Sequence, residues 1–377
     1  MKSLVKKVLN LLLGRLSVVL PVKFELESQI ALPITKGEYM LPVNIADIST
    51  PLQDIFNANV TFELSEVCIY ELSKVYIRYD GIIYKNFSVF APSLPAYWFK
   101  ASFEHAPLIK QYYKAEKINS SGPIIVFHDM WSDNYYHWFI DALPRLLILD
   151  DSKKKYKIGL PYYVKDYVKL TIDALGFTSQ YVFQIDQTVF ADKVIMPGRT
   201  AYGIDQNPEL LKTLRKRMVD YFKCGDIKPF RYLYVSRSKA KTRRLKNEEA
   251  ILDTLIEHNF DIVYFEELSF IEQFSLMRET KILVGVHGAN LTNSLFMQPG
   301  CVLVELINQE HPNLVYYHMA SNLDLPYFSI PCSADKVNPQ VSLTAKIFDS
   351  NLNNADYTVE PSTFSKVISD CVSYISN

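Results

Sequence analysis

The sequence predicts an α/β protein of about two domains, and three observations lead there. Its 377 residues are 49% hydrophobic and 21% charged, enough to give each of two domains of about 100 to 200 residues its own core. From Tyr232 onward, strand-like and helix-like runs alternate at the spacing of a parallel sheet with covering helices. A similar alternation begins at the apolar run Ile124-Ile-Val-Phe127. Composition narrows the class further. Forty basic against 41 acidic side chains exclude a general polyanion or nucleic-acid binder. Five cysteines with no CxxC pair exclude a disulfide framework or a thiolate zinc site and fit a reducing cytoplasm. No run of 18 apolar residues occurs, which argues against a spanning helix. The 25 Tyr and 22 Phe suit either a large core or stacking on sugars and bases.

The elements follow in order. Residues 1–20 set Lys2, Lys6, Lys7 and Arg15 among many leucines and valines, with Ser3, Lys7, Asn10, Gly14 and Ser17 in one polar stripe. That is an amphipathic helix, suited to a membrane interface or to packing on the domain. Arg15 and the lack of a small-residue cleavage site argue against a signal peptide. Residues 21–223 read as a first α/β domain. Its strands fall at Val67–Tyr70, Val75–Tyr79, Ile82–Tyr84, Ile124–Phe127, Lys157–Val164, Val182–Ile185 and Val194–Met196, with a turn at Asp80-Gly81. Its helices fall at Asn134–Leu149, Lys165–Leu175 and Pro208–Phe222. Residues 224–230, with Gly225 and Pro229, read as a linker.

A second α/β domain covers 231–345. Its strands are Tyr232–Ser236, Asp261–Phe265, Ile282–Val286 and Cys301–Ile307. Asn247 is the expected N-cap of a helix to Phe260, Ser269-Phe-Ile-Glu272 is a capping box, Asn290–Met297 is a short helix and Gly300 turns the chain. Residues 346–377 form a C-terminal helical segment, its helix at about Ser362–Ser376.

Three constellations carry chemistry. On a helix turning about 100° per residue, His137, Asp141 and Arg145 share a stripe with Asn134 while the rest of the surface is apolar. A buried helix with such a face lines a cleft, and Pro144 bends it; a satisfied Asp141–Arg145 network is the structural alternative, and no third ligand accompanies the His–Asp pair for a metal. Next, six of the ten residues from Arg237 to Lys246 are Lys or Arg, directly after a strand, where parallel sheets bind ligands. Diphosphate is the natural counterpart, held by the forked guanidinium groups of Arg237 and Arg243, whereas Lys239, Lys241 and Lys246 read as solvated. Last, Val284-Gly-Val-His287-Gly288-Ala-Asn290-Leu-Thr292-Asn293 is a strand, a tight turn and a helix start. Gly288 lets backbone approach a ligand, the helix N-terminus favours an anion, and Glu305 at the end of the next strand suits ribose hydroxyls. The chain has no D-x-D and no GxxxxGK[ST], HExxH, GxSxG or GxGxxG; arginines and a helix terminus neutralise diphosphate without a divalent ion.

These motifs, Asn134-Tyr-Tyr-His137-Trp-Phe-Ile-Asp141-Ala-Leu-Pro144-Arg145, Tyr234-Val-Ser-Arg237 with Arg243 and Asn247-Glu248, Phe270-Ile-Glu-Gln273, and Gly285-Val-His287-Gly288-Ala-Asn290-Leu-Thr-Asn293 followed by Glu305, together resemble glycosyltransferase family 61 over residues 120–310. Asn290 departs from the pattern, standing where the family often has glycine. The resemblance implies a GT-B fold, two Rossmann-like α/β domains facing across a cleft, and an inverting glycosyl transfer that needs no cofactor or obligatory metal. It implies a nucleoside-diphosphate sugar, UDP-linked in the first instance, as donor, and a glycan or lipid-linked glycan as acceptor, with a bacterial capsule or lipopolysaccharide enzyme as the nearest kind. Arg237, Arg243, His287, Gly288, Asn290, Asn293 and Glu305 are then donor-binding, Asp141 the first choice and His137 the second for the catalytic base, and Asn134 and Arg145 their support. The expected location is the cytoplasm, with peripheral membrane contact through residues 1–20 and no nucleic-acid partner. A sugar-nucleotide epimerase or pyruvyltransferase on a similar frame and a non-catalytic capsule-assembly subunit are the competing readings.

Overall fold

The computed structural model describes residues 24–86, 88–94, 115–118, 122–223, 225, 227–335 and 354–376. The helix expected over residues 1–20 lies outside them. The described chain divides into two compact units, one within Met1–Thr35 and Ser65–Ala201, the other within Lys36–Leu64 and Tyr202–Asn377. Both are mixed α/β structures built on their own sheets.

The first unit holds nine strands: β1 (Glu25–Leu32), β2 (Val67–Arg78), β3 (Ile83–Lys85), β4 (Ser88–Val89), β5 (Glu116–Lys117), β6 (Ile124–Ile125), β7 (Lys157–Leu160), β8 (Gln180–Val182) and β9 (Thr188–Pro197). They form one sheet in the order β8-β7-β6-β9-β2-β3-β4, with β1 on β2 and β5 on β9. The runs expected as separate strands at 67–70 and 75–79 are one strand, broken in regularity by Lys74 at φ 55°. Strands β8, β7, β6 and β9 run parallel, so chain order reverses between β6 and β9. The core of this unit gathers Leu72, Val75, Ile77, Ile124, Val126, Phe183, Val189 and Val194 from these strands.

The second unit holds β10 (Arg231–Val235), β11 (Asp261–Val263), β12 (Thr280–Val286), β13 (Val302–Asn308), β14 (Tyr327–Ala334) and β15 (Tyr357–Val359). Their order is β11-β10-β12-β13-β14-β15, all parallel except the edge strand β15. Chain order reverses between β10 and β12. Every residue of β13 is buried, as a central strand covered on both faces requires.

Two segments fall outside the sequence-based domain bounds. Residues 36–64, expected in the first domain, belong to the second unit: Asn44 mimics a strand residue by bonding both the carbonyl and the N–H of Ser329 (2.8 and 3.0 Å), and Phe56 packs edge-on against Tyr317. The helix Pro208–Phe222 belongs there too, because its buried Arg215 donates to the carbonyls of Met297 and Leu323. The chain therefore passes between the units at 35/36, 64/65 and 201/202, and not at 224–230. Locally, the Ser269–Glu272 capping box forms as read. Asn247 does not cap; its amide pairs with both backbone groups of Val359, and the helix there is a 3-10 turn, Glu248–Ile251, leading into Leu252–Glu257.

Candidate active site

In open parallel sheets ligands bind beyond the carboxyl ends of the strands where chain order reverses. In the second unit that place is the end of β10 and β12, and the sequence puts Arg237 just after the one and His287-Gly288 just after the other. Arg237 is 8% exposed. Its Nε and Nη2 donate to the carbonyls of Arg243 and Thr242 (3.1 and 3.0 Å), which Arg243 presents by adopting φ 58°. The guanidinium tip lies directly on Gly288, where a Cβ would stand 2.5 Å from Nη1. The lack of a side chain at Gly288 thus makes room for the arginine.

The charge of this loop sorts by partner. Lys239 pairs with Glu267, Arg244 with Asp356 and Lys246 with Asp335. Arg237 and Arg243 have no carboxylate partner among the described residues, and Arg243 Nε is buried without an acceptor. Burial first, and then the neighbouring Arg243 cation, pull the Arg237 guanidinium below its ordinary value. Since guanidinium stays charged in proteins, that direction marks an uncompensated cation which a bound anion would relieve.

Glu305 does not stand where the sequence reading put it. It is central in β13, with Gly285 and Ser329 as its neighbours in register, and 0% exposed. Its Oε1 meets His287 Nδ1 at 2.5 Å, and its Oε2 accepts the Tyr327 hydroxyl at 2.7 Å. With both oxygens engaged inside the core, it holds His287 and does not meet a ribose. Burial, then the Glu305 charge, push the Tyr327 phenol well above its usual range, so it remains an O–H donor. Tyr316 lies edge-on to His287 at 5.1 Å and against Thr292 Oγ1 at 3.4 Å. Asn293 is buried and donates to Gln273 Oε1 and to the carbonyl of Asn290, so it fastens the 3-10 helix Ala289–Phe296 to the helix Phe270–Glu279. Asn290 reaches Glu266 at 3.5 Å.

In the first unit the reversal lies between β6 and β9. Beyond β6, Asp129 forms a buried ion pair with Arg199, which follows β9 (2.6 Å). Burial pushes the Asp129 carboxyl up, but Arg199 beside it holds the group below its ordinary value. Asp129 Oδ1 also accepts the N–H of Trp131 at 2.9 Å, and the indole lies 5.3 Å from the His137 ring. His137–Ala142 is a π-helical turn running into the α-helical turn Leu143–Leu146. Pro144 has no N–H to give to Ile140, and Leu143 N–H instead reaches back five residues to Trp138, the wider turn that often marks a functional site. Of the apolar residues on this helix, Trp138, Phe139, Leu143, Leu146 and Leu149 are buried and Leu147 is half-buried.

On this turn His137 Nδ1 meets Asp141 Oδ2 at 2.5 Å. Burial alone would lower the imidazole, but the hydrogen bond and charge of Asp141, with Asp129 and Asp133 behind it, raise it above its ordinary value. Arg145 does not join the pair: it is buried and donates through Nε and Nη2 to the carbonyl of Pro197 at the end of β9 (2.9 and 2.6 Å). Asn134 is exposed, its Oδ1 accepting the N–H of Tyr136, a local cap of the turn.

The structure therefore brings His137 to Asp141, and Arg237 with Arg243 to the His287–Glu305 pair. The sequence reading missed Asp129, Arg199, Trp131, Tyr316 and Tyr327. His128-Asp129 directly after a buried strand was a signal for the first of these; the tyrosines gave none, since only the sheet order carries them to the site.

Residues 135–304 match the family model described as Glycosyltransferase 61. The match begins just before His137 and ends one residue before Glu305. An EGF domain-specific O-linked N-acetylglucosamine transferase of Drosophila melanogaster is 40% identical over 86 residues, 22% of this chain and 16% of the relative. A beta-1,2-xylosyltransferase, XAX1, of Oryza sativa subsp. japonica is 26% identical over 208 residues, 49% of this chain and 37% of the relative. The Xenopus laevis EGF domain-specific O-linked N-acetylglucosamine transferase is 28% identical over 112 residues, 30% and 21% of the two chains. The chain thus spans well under half the length of these relatives.

Proposed function

We propose that this chain, whose central region matches the Glycosyltransferase 61 model, transfers a sugar from a nucleoside diphosphate, UDP in our reading, to a glycan hydroxyl with inversion at the anomeric carbon. The observation that carries the reading is the pair of buried or half-buried guanidinium groups, Arg237 and Arg243, left without a carboxylate at the switch point of a parallel sheet. They supply positive charge where the leaving diphosphate gains negative charge, the role a metal plays elsewhere. Cofactor-free chemistry and the GT-B organisation implied by the resemblance are part of the proposal. The animal and plant relatives give no support to a narrower bacterial capsule or lipopolysaccharide type, so the acceptor is proposed as a glycan hydroxyl and the cytoplasmic location as a working assignment.

Inversion in a single displacement needs a base for the acceptor proton. The His137–Asp141 geometry favours His137, reversing the order read from sequence. Asp141 accepts a hydrogen bond from Nδ1–H and so fixes the tautomer, which leaves Nε2 as the basic atom. Asp141 also makes the ring a stronger base than free imidazole.

A panel of UDP-, GDP- and CMP-sugars, assayed for hydrolysis and thermal stabilisation, tests the activity. Stabilisation by the UDP set is expected. Conversion of a donor to a second sugar nucleotide without acceptor would identify an epimerase instead. Arg237→Ala should weaken UDP binding in calorimetry with the fold intact, and unchanged affinity would refute the donor site.

A further inference from the structure

The turn that precedes the π-helix in the first unit is pinned from several sides. Asp129, after β6, accepts the N–H of Trp131 on one carboxylate oxygen (2.9 Å) and pairs with Arg199 through the other (2.6 Å). Its own N–H donates to Ser132 Oγ (3.0 Å). The half-buried Trp131 indole is thereby held 5.3 Å from the His137 ring, the two planes 35° apart. Beyond β7, Lys165 ties the following segment to the same turn by donating to the Asp133 carbonyl (3.1 Å). Tyr163, on that segment, lies within electrostatic reach of both Asp133 and Asp129. Two polar groups here have no hydrogen-bond partner among the described residues. One is the buried Tyr163 hydroxyl, although buried polar atoms nearly always find a partner. Burial first, then the charges of Asp133 and Asp129, hold this phenol above its usual range, so it stays an O–H donor. The other is the exposed Asp133 carboxylate, an acceptor only. The neighbouring cations are engaged: Arg199 by Asp129, Arg145 by the Pro197 carbonyl and Lys165 by the Asp133 carbonyl. With Asp133 unpaired, the surface repels phosphate and suits a neutral ligand that has hydroxyls and an apolar face for the indole.

We propose that Trp131, Asp133 and Tyr163 form a subsite for a neutral pyranose, the sugar that carries the acceptor hydroxyl. One C–H face of the ring lies on the Trp131 indole, one ring hydroxyl accepts from the Tyr163 O–H, and another donates to Asp133. The hydroxyl to be glycosylated is then presented to His137, beside which the indole is fixed. The Asp129–Arg199 pair takes no part in contact; it holds the turn that carries Trp131. The proposal rests on the glycosyl-transfer reading above and narrows its acceptor to a sugar, as against a serine or threonine side chain or a phosphate-bearing lipid headgroup.

The experiment is saturation-transfer NMR on the full chain, irradiating its aromatic protons in the presence of the methyl β-pyranosides of xylose, glucose, galactose and mannose. At least one should take up saturation, and unevenly: in the xyloside, H1 and H3 lie on one face of the ring and H2 and H4 on the other, and a stacked sugar favours one set. Trp131→Ala should abolish the transfer, and Trp131→Phe, which keeps an aromatic face, should restore it. Asp133→Ala alters an exposed side chain and leaves the fold alone; it and Tyr163→Phe should each weaken pyranoside binding by about 2- to 10-fold, the range of one hydrogen bond. No transfer to any pyranoside, transfer that survives Trp131→Ala, unchanged affinity in both Asp133→Ala and Tyr163→Phe, or transfer to a threonine-containing peptide in place of the sugars overturns the proposal. Calorimetry with UDP on the same preparations separates the two readings. UDP binding without pyranoside binding removes the subsite and keeps the donor site, whereas Trp131-dependent pyranoside binding without UDP binding keeps the sugar subsite and removes the donor reading.

Discussion

Gly288→Ala is the most informative single change, because the structure states what the new methyl meets. The backbone there has φ 162°, an extended conformation open to any residue, so no strain arises from the backbone. The methyl carbon would stand 2.5 Å from Arg237 Nη1 and 2.9 Å from Cζ, against an ordinary contact of about 3.5 Å, so the guanidinium must withdraw by about 1 Å. Its own bonds to the carbonyls of Thr242 and Arg243 resist this, but it is the flexible end of a long side chain, so folding stability should change little. Ligand binding should not be spared. A charge-assisted hydrogen bond is worth about 1.5–3 kcal/mol, which converts to a loss of about 10- to 100-fold in UDP affinity. The assay is a double-mutant cycle by calorimetry. In an Arg237→Ala background the methyl has nothing to displace, and adding Gly288→Ala should cost less than about twofold. If the full loss persists in that background, the methyl strikes the ligand directly and Gly288 serves backbone approach after all.

Three further outcomes follow from the first unit. Asp141→Asn should lower turnover by about 10²-fold or more. It should also move the acid limb of the kcat/KM profile to lower pH, because the carboxylate that raises His137 is gone while the burial that depresses it stays; a limb that does not move excludes His137 as the base. His128 is buried neutral, with Nε2 donating to the carbonyl of Tyr79, and burial pulls its pKa to about 4 from 6.5. The unfolded chain therefore binds more protons between those values, so stability rises with pH across that window, and the imidazole costs about 3 kcal/mol at its acid end. Urea unfolding at pH 5 and pH 7 should show a smaller difference in His128→Gln than in wild type, and an equal difference would refute the assignment. Arg145→Leu removes both bonds to the Pro197 carbonyl and should lower stability by about 1–3 kcal/mol with UDP affinity unchanged; weakened UDP binding would return Arg145 to the functional site.

What the sequence revealed, and what it hid, divides by how far apart the interacting residues lie. The alternation from Arg231 to Asn308 and the Ser269 capping box are local patterns and were legible. The basic run was legible too, but not which of its cations are paired: Arg244, with the same forked guanidinium as Arg237 and Arg243, is held by Asp356, more than 100 residues away in the chain. The π-helical turn was not. A uniform period of 3.6 residues already places His137 near Asp141, so the pattern gives no reason to expect a wider turn, and Arg145 was drawn into a stripe that it leaves for Pro197. Glu305 did carry a readable signal. It interrupts the apolar run Cys301-Val-Leu-Val-Glu305-Leu-Ile307, and a carboxylate inside a strand buried on both faces must be paired there. Its partner Tyr327 lies one strand further on, and segment 36–64 joins a sheet some 285 residues away through Asn44 and Ser329; only the strand order brings such pairs together.

The two histidine–carboxylate pairs share one geometry and differ in one property, and that property separates their chemistry. In both, Nδ1 lies 2.5 Å from a carboxylate oxygen, so each ring is fixed in the same tautomer. His137 and Asp141 retain 28% and 20% side-chain exposure, His287 and Glu305 only 9% and 0%. A pair in contact with solvent can receive a substrate proton and pass it on within each turnover, which is what a general base must do. A carboxylate sealed in the sheet has no such route. Buried behind the His287 ring and bonded to Tyr327, it acts only through those two side chains.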